Sequence, residues 1–162
     1  MPDIFSKRKR SAVMSAIRSR GNCDTELRLI ALMRAHGITG WRRGSVIRDQ
    51  KSEVGSQKAE PGRRKIGGKR RVRFAVRPDF VFRSKRLAVF VDGCFWHGCP
   101  IHGTKPKNDA AFWRKKIAAN QARDQLVNRT LRAQGWKVVR IWEHELARKN
   151  ERRLLSRLRR FL

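Results

Sequence analysis

Leu87-Ala88-Val89-Phe90-Val91-Asp92-Gly93-Cys94-Phe95-Trp96-His97-Gly98-Cys99-Pro100-Ile101-His102 is one continuous stretch in which an apolar run leads directly into a dense group of reactive side chains. Leu87 to Val91 has the length and composition of a buried strand. Phe74 to Phe82 reads the same way, and the turn-like Arg83-Ser84-Lys85-Arg86 joins the two as a hairpin that brings Asp79 beside the end of the second strand.

Working outward, Asp24-Thr25-Glu26 supplies a helix-capping signal. Leu27, Ile30, Ala31 and Met33 continue helically to a stop at Gly37, which puts Glu26 in the first turn. Thr39 to Ile47 is short and strand-like. Beyond the cysteines, Asn108 or Asp109 caps a long helix running to Gln134, with Phe112, Trp113, Ile117, Leu126 and Leu131 among its apolar residues and Gly135 as its stop. Lys137 to Trp142 is a last strand. Asn150 caps a basic terminal helix whose Leu154, Leu155, Leu158 and Phe161 face the core. The expected order is helix, three strands, helix, strand, helix, without an internal repeat.

The 162 residues suit one domain, 1–162, which on folding buries roughly 70% of its unfolded surface. Lys and Arg number 41 against 13 Asp and Glu, a formal charge of +28, and such a field favours polyanions. No stretch approaches the ~20 apolar residues of a membrane span, and no secretory leader pattern opens the chain, so a soluble cytoplasmic protein without a membrane partner is expected. Residues 1–20 read as a basic arm containing a short helix with Met14 in its apolar stripe. Residues 48–73, dense in Lys, Arg and Gly, read as a long basic loop, either a solvated linker or a nucleic-acid contact. Cys23 is read as a small residue near a helix start.

Cys94, Cys99 and His102 offer three zinc ligands, and His144, just past the strand ending at Trp142, is the candidate fourth; His97 is a competing donor. Two clustered cysteines beside histidines fit metal ligation in a reducing compartment better than a secreted disulfide framework.

The acidic residues are few enough to weigh singly. Asp79 lies in an apolar strand, where a bare charge is costly, so a cation belongs near it. One arrangement pairs Asp79 and Asp92 around magnesium; the other is a salt bridge from Asp79 to one of the arginines. Phosphodiester hydrolysis needs an activated water, charge neutralisation and a positioned phosphate. Asp79 and Asp92 fit the metal role, His97 that of proton acceptor, and Glu26 that of tuning or orienting the water. Trp41, Trp136 and Trp142 read as core. Phe95, Trp96 and Trp113 adjoin Gly and basic residues and read either as wedges between bases or as packing around the zinc.

Ser11-Ala12-Val13-Met14-Ser15-Ala16-Ile17, Thr25-Glu26, Arg77-Pro78-Asp79-Phe80, Val91-Asp92-Gly93-Cys94-Phe95-Trp96-His97, Phe112-Trp113, Gly135-Trp136 and Trp142-Glu143-His144 together resemble the very short patch repair (Vsr) DNA mismatch endonucleases, over nearly the whole chain apart from the basic loop. The resemblance implies an α/β, restriction-endonuclease-like (PD-(D/E)XK-type) mixed central sheet flanked by helices, with a structural zinc. It implies an enzyme that nicks one strand of duplex DNA 5′ to the thymine of a T:G mispair left by 5-methylcytosine deamination.

By the same resemblance Asp79 matches the magnesium-binding aspartate, His97 the general base and Glu26 the helical glutamate. Phe95, Trp96 and Trp113 match the intercalating aromatics, and Met14 the minor-groove wedge. The implied setting is cytoplasmic and nucleoid-associated, with a monomer acting alongside mismatch-repair proteins and a DNA polymerase. Departures from the family pattern are specific. Val91-Asp92 replaces a Thr-His pair, which preserves a metal contact through the Val91 backbone carbonyl and leaves Asp92 as a direct metal ligand. In the zinc set Cys99 stands at a histidine position, His102 is displaced by one from a cysteine, and His144 replaces the last cysteine, all of them competent ligands. Two rival readings stay open: a non-catalytic zinc-containing DNA- or RNA-binding module, and a restriction-type or branched-DNA nuclease on the same fold.

Overall fold

The computed structural model describes residues 8–9, 23–48, 74–104, 106 and 109–162. The expectations for the arm at 1–20 with Met14, for the Cys23 side chain, for Asn108 and for the loop at 48–73 lie outside the described residues, except that Arg8 and Lys9 are helical and Arg48 is in a strand.

Leu87–Asp92 (β5) is the centre of the molecule. Its residues alternate between two buried surfaces, so the strand needs cover on both sides. Phe80–Phe82 (β4) pairs with it antiparallel through the 83–86 turn, and Lys137–Trp142 (β6) pairs with it parallel, Leu87 opposite Lys137 and Asp92 opposite Trp142. Arg42–Arg43 (β1) adds to β4, giving a four-stranded mixed sheet in the order β1-β4-β5-β6. Ile47–Arg48 (β2) and Ala75–Val76 (β3) make a separate antiparallel pair.

The expected strand over 39–47 is thus two short strands in different sheets, parted by Gly44 at φ 64°. The expected strand over 74–82 is likewise divided at Arg77-Pro78-Asp79, because Pro78 has no N–H to give to a ladder. Asp79 therefore lies just outside β4, where its carboxylate is free to turn toward the end of β5.

Each face of the sheet has its own cover. Phe80, Phe82, Leu87, Val89, Val139 and Ile141 pack against Leu29, Leu32 and Met33 of Arg28–Ala35 (α1) and against Leu154, Leu155 and Leu158 of Glu151–Arg159 (α3). Val81 and Ala88, with Phe90 and Val138, pack against Leu131 and Val127 of Ala110–Ala133 (α2). A parallel β5-α2-β6 unit requires such a crossover helix on the sheet. The result is a mixed α/β sheet flanked by helices.

Three helix boundaries differ in their chemistry from expectation. A π-helical turn at Cys23–Leu27 feeds α1. Asp109 stands at the N-cap of α2 in the left-handed region, φ 54°, and its side chain makes no capping bond. Asn150 stands before α3 and also does not cap it; its amide donates instead to the His144 carbonyl at 2.9 Å. That bond, with Glu145 accepting from the Trp142 N–H at 2.8 Å and from Arg157 at 2.8 Å, ties α3 to the end of β6. The stops at Gly37 and Gly135 fall as expected, both at positive φ.

Candidate active site and metal centre

β5 and β6 end side by side, and among the described residues Asp79, Asp92, His97 and the Cys/His donors collect beyond or beside those two ends. After Asp92 the backbone turns sharply: the His97 N–H donates to the Gly93 carbonyl at 3.2 Å and the Cys99 N–H to that of Cys94 at 2.9 Å. Gly98 sits at φ 63°, and a Cβ there would meet Gln121 Nε2 at 2.6 Å and Ile117 Cγ2 at 2.8 Å, so the loop lies flush on α2 only because this residue is glycine. From α2, Asn120 Nδ2 donates to the Trp96 carbonyl at 2.9 Å and Gln121 Nε2 to that of His97 at 3.2 Å. The Cys94 N–H donates to Glu143 Oε2 at 3.1 Å. The loop is therefore pinned on both sides.

The Cys94, Cys99, His102 and His144 donors lie within 4.8 Å of one another, and among the described residues this is the group whose ligand atoms converge as a metal site demands. A tetrahedral zinc with bonds of ~2.0–2.3 Å separates its donors by roughly 3.3–3.8 Å. His144 Nδ1 lies 3.3 Å from Cys94 Sγ and 3.6 Å from Cys99 Sγ, and the His102 and His144 rings are 4.4 Å apart. Donor set and spacing both fit such an ion. Burial, reinforced by the adjacent Cys99, pushes the Cys94 thiol above its usual range despite the His144 contact that opposes it. A bound cation inverts that balance, since the thiolate becomes the favoured form. His97, the competing donor, is not in the group; its ring points elsewhere.

His97 Nδ1 is 2.6 Å from Asp124 Oδ2, on α2, and 3.8 Å from Asp92 Oδ1. Because an ionised carboxylate only accepts, the close contact directs an Nδ1–H at Asp124 and turns Nε2 away from it. Asp92 is buried at 4% exposure, and both of its oxygens are held by Arg140, at 2.6 Å from Nε and 2.7 Å from Nη2. The salt-bridge alternative belongs to Asp79, whose hydrogen-bond partner is instead the Val91 N–H; it is Asp92 that pairs with an arginine, and that arginine comes from the neighbouring strand.

Asp79 Oδ2 accepts the Val91 N–H at 2.7 Å, which fixes the carboxylate beside the strand end. Burial pushes Asp79 up to about 6, and the charges of Glu26 and Asp92 add to the rise; the Val91 N–H and Arg140 oppose it. Glu26 is buried and ion-paired with Arg43. Asp79, Glu26 and Asp92 are therefore electrostatic neighbours, but each carboxylate has its own protein partner and the three do not converge like the Cys/His donors. An Asp79 whose charged form is disfavoured first by burial and then by adjoining anions has the chemistry of a site suited to a divalent cation.

The aromatics form one cluster. Phe95 packs edge-on against Trp96 at 5.2 Å and Trp113 at 5.1 Å, Trp96 lies 5.9 Å from Trp113, and Phe112 lies 5.3 Å from Trp113 at 61% exposure. They pack on one another and remain part-exposed beside His97. Trp41 and Trp136 join the core margins as expected, Trp41 edge-on to Phe80 at 5.4 Å.

Two residues of this site, Asp124 and Arg140, were not foreseen. Asp124 carried a readable signal: Trp113, Ile117, Asn120, Asp124, Val127 and Leu131 recur at three- and four-residue spacing on α2, and a carboxylate in such a sheet-facing stripe needs a partner. Arg140 carried only its alternation within β6.

Fold and site together define a mixed α/β protein that sets a histidine–carboxylate centre beside a Cys/His cluster of metal-binding type. The chain belongs to the DNA mismatch endonuclease Vsr family. It is 31% identical over 144 residues to DNA mismatch endonuclease Vsr of Escherichia coli (strain K12), an alignment spanning 88% of this chain and 74% of that protein, and the family model DNA mismatch endonuclease Vsr matches residues 66–102. Shorter matches reach type II nicking enzyme V.NaeI of Lentzea aerocolonigenes, 50% identical over 43% of this chain and 42% of that protein. Type II nicking enzyme V.XorIIP of Xanthomonas oryzae pv. oryzae is 51% identical over 43% of this chain and 52% of its own length. The chain matches about half the length of these nicking enzymes. No helix among the described residues is long and apolar enough to cross a membrane.

Proposed function

We propose that this protein is a DNA mismatch endonuclease that nicks one strand of a duplex 5′ to the thymine of a T:G mispair, using magnesium for hydrolysis and zinc for structure. The observation that carries the reading is the His97–Asp124 pair just past the end of β5, the strand whose Val91 N–H holds Asp79: an imidazole whose Nδ1 faces Asp124 leaves Nε2 open, at the same strand end as a carboxylate suited to a metal. The names of the relatives support the substrate class, one a mismatch endonuclease and others nicking enzymes. The T:G preference rests on the motifs shared with that family, and a restriction-endonuclease-like sheet is consistent with the strand order.

Asp79 and the Val91 backbone carbonyl are the contacts we assign to magnesium, which when bound neutralises charge developing on the phosphate. His97 Nε2 takes the proton of the attacking water as the new P–O bond forms and the P–O bond to the leaving 3′ oxygen breaks, that oxygen taking a proton from solvent. Glu26, held by Arg43, orients that water through the field it shares with Asp79. Phe95, Trp96 and Trp113 enter the base stack at the mispair from one side and Met14 from the other. Cys94, Cys99, His102 and His144 hold zinc and so fix the loop that carries both the aromatics and His97. The basic surface supplies phosphate contacts, and mismatch-repair proteins and a polymerase complete the repair of the nick in the cytoplasm, at the nucleoid.

The test is a panel of end-labelled T:G, U:G and matched duplexes with and without magnesium. A magnesium-dependent nick 5′ to the mismatched pyrimidine is expected. Equal cutting of matched DNA would favour the restriction-type reading, and binding without cutting by well-folded protein would leave only the DNA-binding module.

A further inference from the structure

Arg140 is the one basic side chain, among the described residues, that touches two carboxylates of the site at once, through contacts the family-level reading does not use. It stands on β6 opposite Phe90, over whose ring its guanidinium lies at 4.9 Å, and so projects to the α2 face of the sheet with Asp92, its diagonal neighbour on β5. Nε and Nη2 grip Asp92 at 2.6 and 2.7 Å. Nη2 also reaches Asp124 Oδ1 at 2.8 Å, and Nη1 reaches Asn128 Oδ1 at 3.3 Å. Asp124 is thereby held at both oxygens, Oδ1 by Arg140 and Oδ2 by His97 Nδ1 at 2.6 Å.

We propose that Arg140 is a positioning residue: by spanning Asp92 and Asp124 it fixes the carboxylate that orients His97 and keeps the other carboxylate away from that ring. Two features of the geometry support this. Asp92 Oδ1 lies only 3.8 Å from His97 Nδ1, so a small rotation of an unheld Asp92 would compete with Asp124 for the same proton and swing the imidazole. The fork of a guanidinium can hold two carboxylates in a fixed relation, which an ammonium point charge cannot. On this view Asp92 serves to anchor Arg140, one guanidinium N–H to each of its oxygens.

The proposal rests on the reading of His97 as the proton acceptor, and the test separates the two. Arg140→Lys keeps the charge next to buried Asp92 but gives up the fork. In the zinc-loaded protein we expect near-native thermal stability, an unchanged KM for T:G duplex and a kcat lowered roughly 10- to 100-fold, the scale of a small misplacement of a catalytic group. Two-bond ¹H–¹⁵N spectra of labelled histidine should show His97 moving from a single Nδ1–H tautomer to a mixture. Should Arg140→Lys fold poorly, Asp92→Asn/Arg140→Gln removes both charges together and is read the same way. Native kcat with an unshifted His97 spectrum in the folded variant overturns the proposal, leaving Arg140 as a counter-ion for Asp92. If the native protein cuts no duplex, the nuclease reading fails, yet the His97 spectra still decide what Arg140 positions.

Discussion

The Cys/His cluster and the histidine–carboxylate centre grow from the ends of the same two strands, and they are held in opposite ways. In the first, four donors from two segments converge to within 4.8 Å, at spacings that leave room for one ion, and the two thiols repel each other once ionised. In the second, every carboxylate is already answered from within the protein: Asp92 and Asp124 by Arg140, Glu26 by Arg43, and Asp79 by a backbone N–H. The first region has the donor set of a metal site, and a cation bound there is expected to add to its order. The second is ordered by its own pairs, and under the proposed function the activation of water is assigned to Asp79 and His97. A cation should therefore act on stability at one end and on rate at the other.

Removing the first cation should have the largest effect. Chelation, or Cys94→Ser, releases a loop that is otherwise pinned by Asn120, Gln121 and Glu143, and leaves a buried thiol beside two histidines. A structural zinc contributes its binding energy to folding, so a loss of several kcal/mol is expected, read as a large fall in Tm that added zinc reverses for the native chain and not for the variant. A variant that melts like the native chain would erase the contrast, making the cluster as self-sufficient as its neighbour.

His97→Ala comes next, and should separate the regions cleanly. General-base removal costs about 10²–10⁴ in rate. The side chain is part-exposed and outside the zinc group, so Tm and DNA affinity should stay near native while single-turnover cleavage at saturating magnesium falls by that factor. A parallel loss of affinity would mean that His97 helps to bind DNA as well as to activate water.

The two regions were unequally legible in the sequence, for a physical reason. Candidate metal ligands betray themselves by residue type: cysteines and histidines closely spaced after a strand share little chemistry except metal binding, and His144 follows from the end of the partner strand. The hairpin, the helices over 110–133 and 151–159 and the strand over 137–142 rest on equally local patterns. The second region depends on register. Arg140 reaches Asp92 only because β5 and β6 run parallel with Phe90 opposite Arg140, and no local pattern encodes which residues of two strands separated by a 24-residue helix lie side by side. Asp124 was concealed differently, as one polar residue within an otherwise ordinary helix stripe. The same dependence on tertiary context governs the caps: Asn150 is a good capping residue, but the nearby His144 carbonyl takes its amide.

A smaller effect should come from Asp79, and its sign depends on pH. Burial raises Asp79 from 3.8 to about 6 in the folded protein, with Glu26 and Asp92 adding to it. The unfolded chain ionises near the ordinary value, so between roughly pH 4 and 6 the folded state binds the extra proton, and the native protein loses stability as pH rises through that window. Asp79→Asn has no such loss. In magnesium-free buffer the variant should be more stable above pH 6, by about 1–3 kcal/mol, with the advantage shrinking below pH 6 and gone near pH 4. Magnesium should stabilise only the native chain. A pH-independent difference would mean that Asp79 is solvated, and so no more dependent on a cation than Asp92.

The smallest effect expected is at the edge of the aromatic cluster, which joins the two regions because the loop that holds Cys94 and Cys99 also carries Phe95, Trp96 and His97. Phe112 is the outermost of the four rings, 61% exposed and 5.3 Å from Trp113. An exposed ring adds little to folding, so Phe112→Ala should change stability by no more than about 0.5 kcal/mol. Covering that ring releases water, however, and contiguous exposed aromatics are what a stacked ligand would cover. Losing one edge-on partner of Trp113 should weaken mismatched-duplex binding by an amount worth about 0.5–1.5 kcal/mol, roughly two- to tenfold in Kd, with kcat unchanged. Matched duplex, whose bases stay stacked, should be bound as before. Equal weakening on both duplexes would turn the aromatics from a mispair wedge into a general contact surface, and the loop's zinc would then be securing affinity alone.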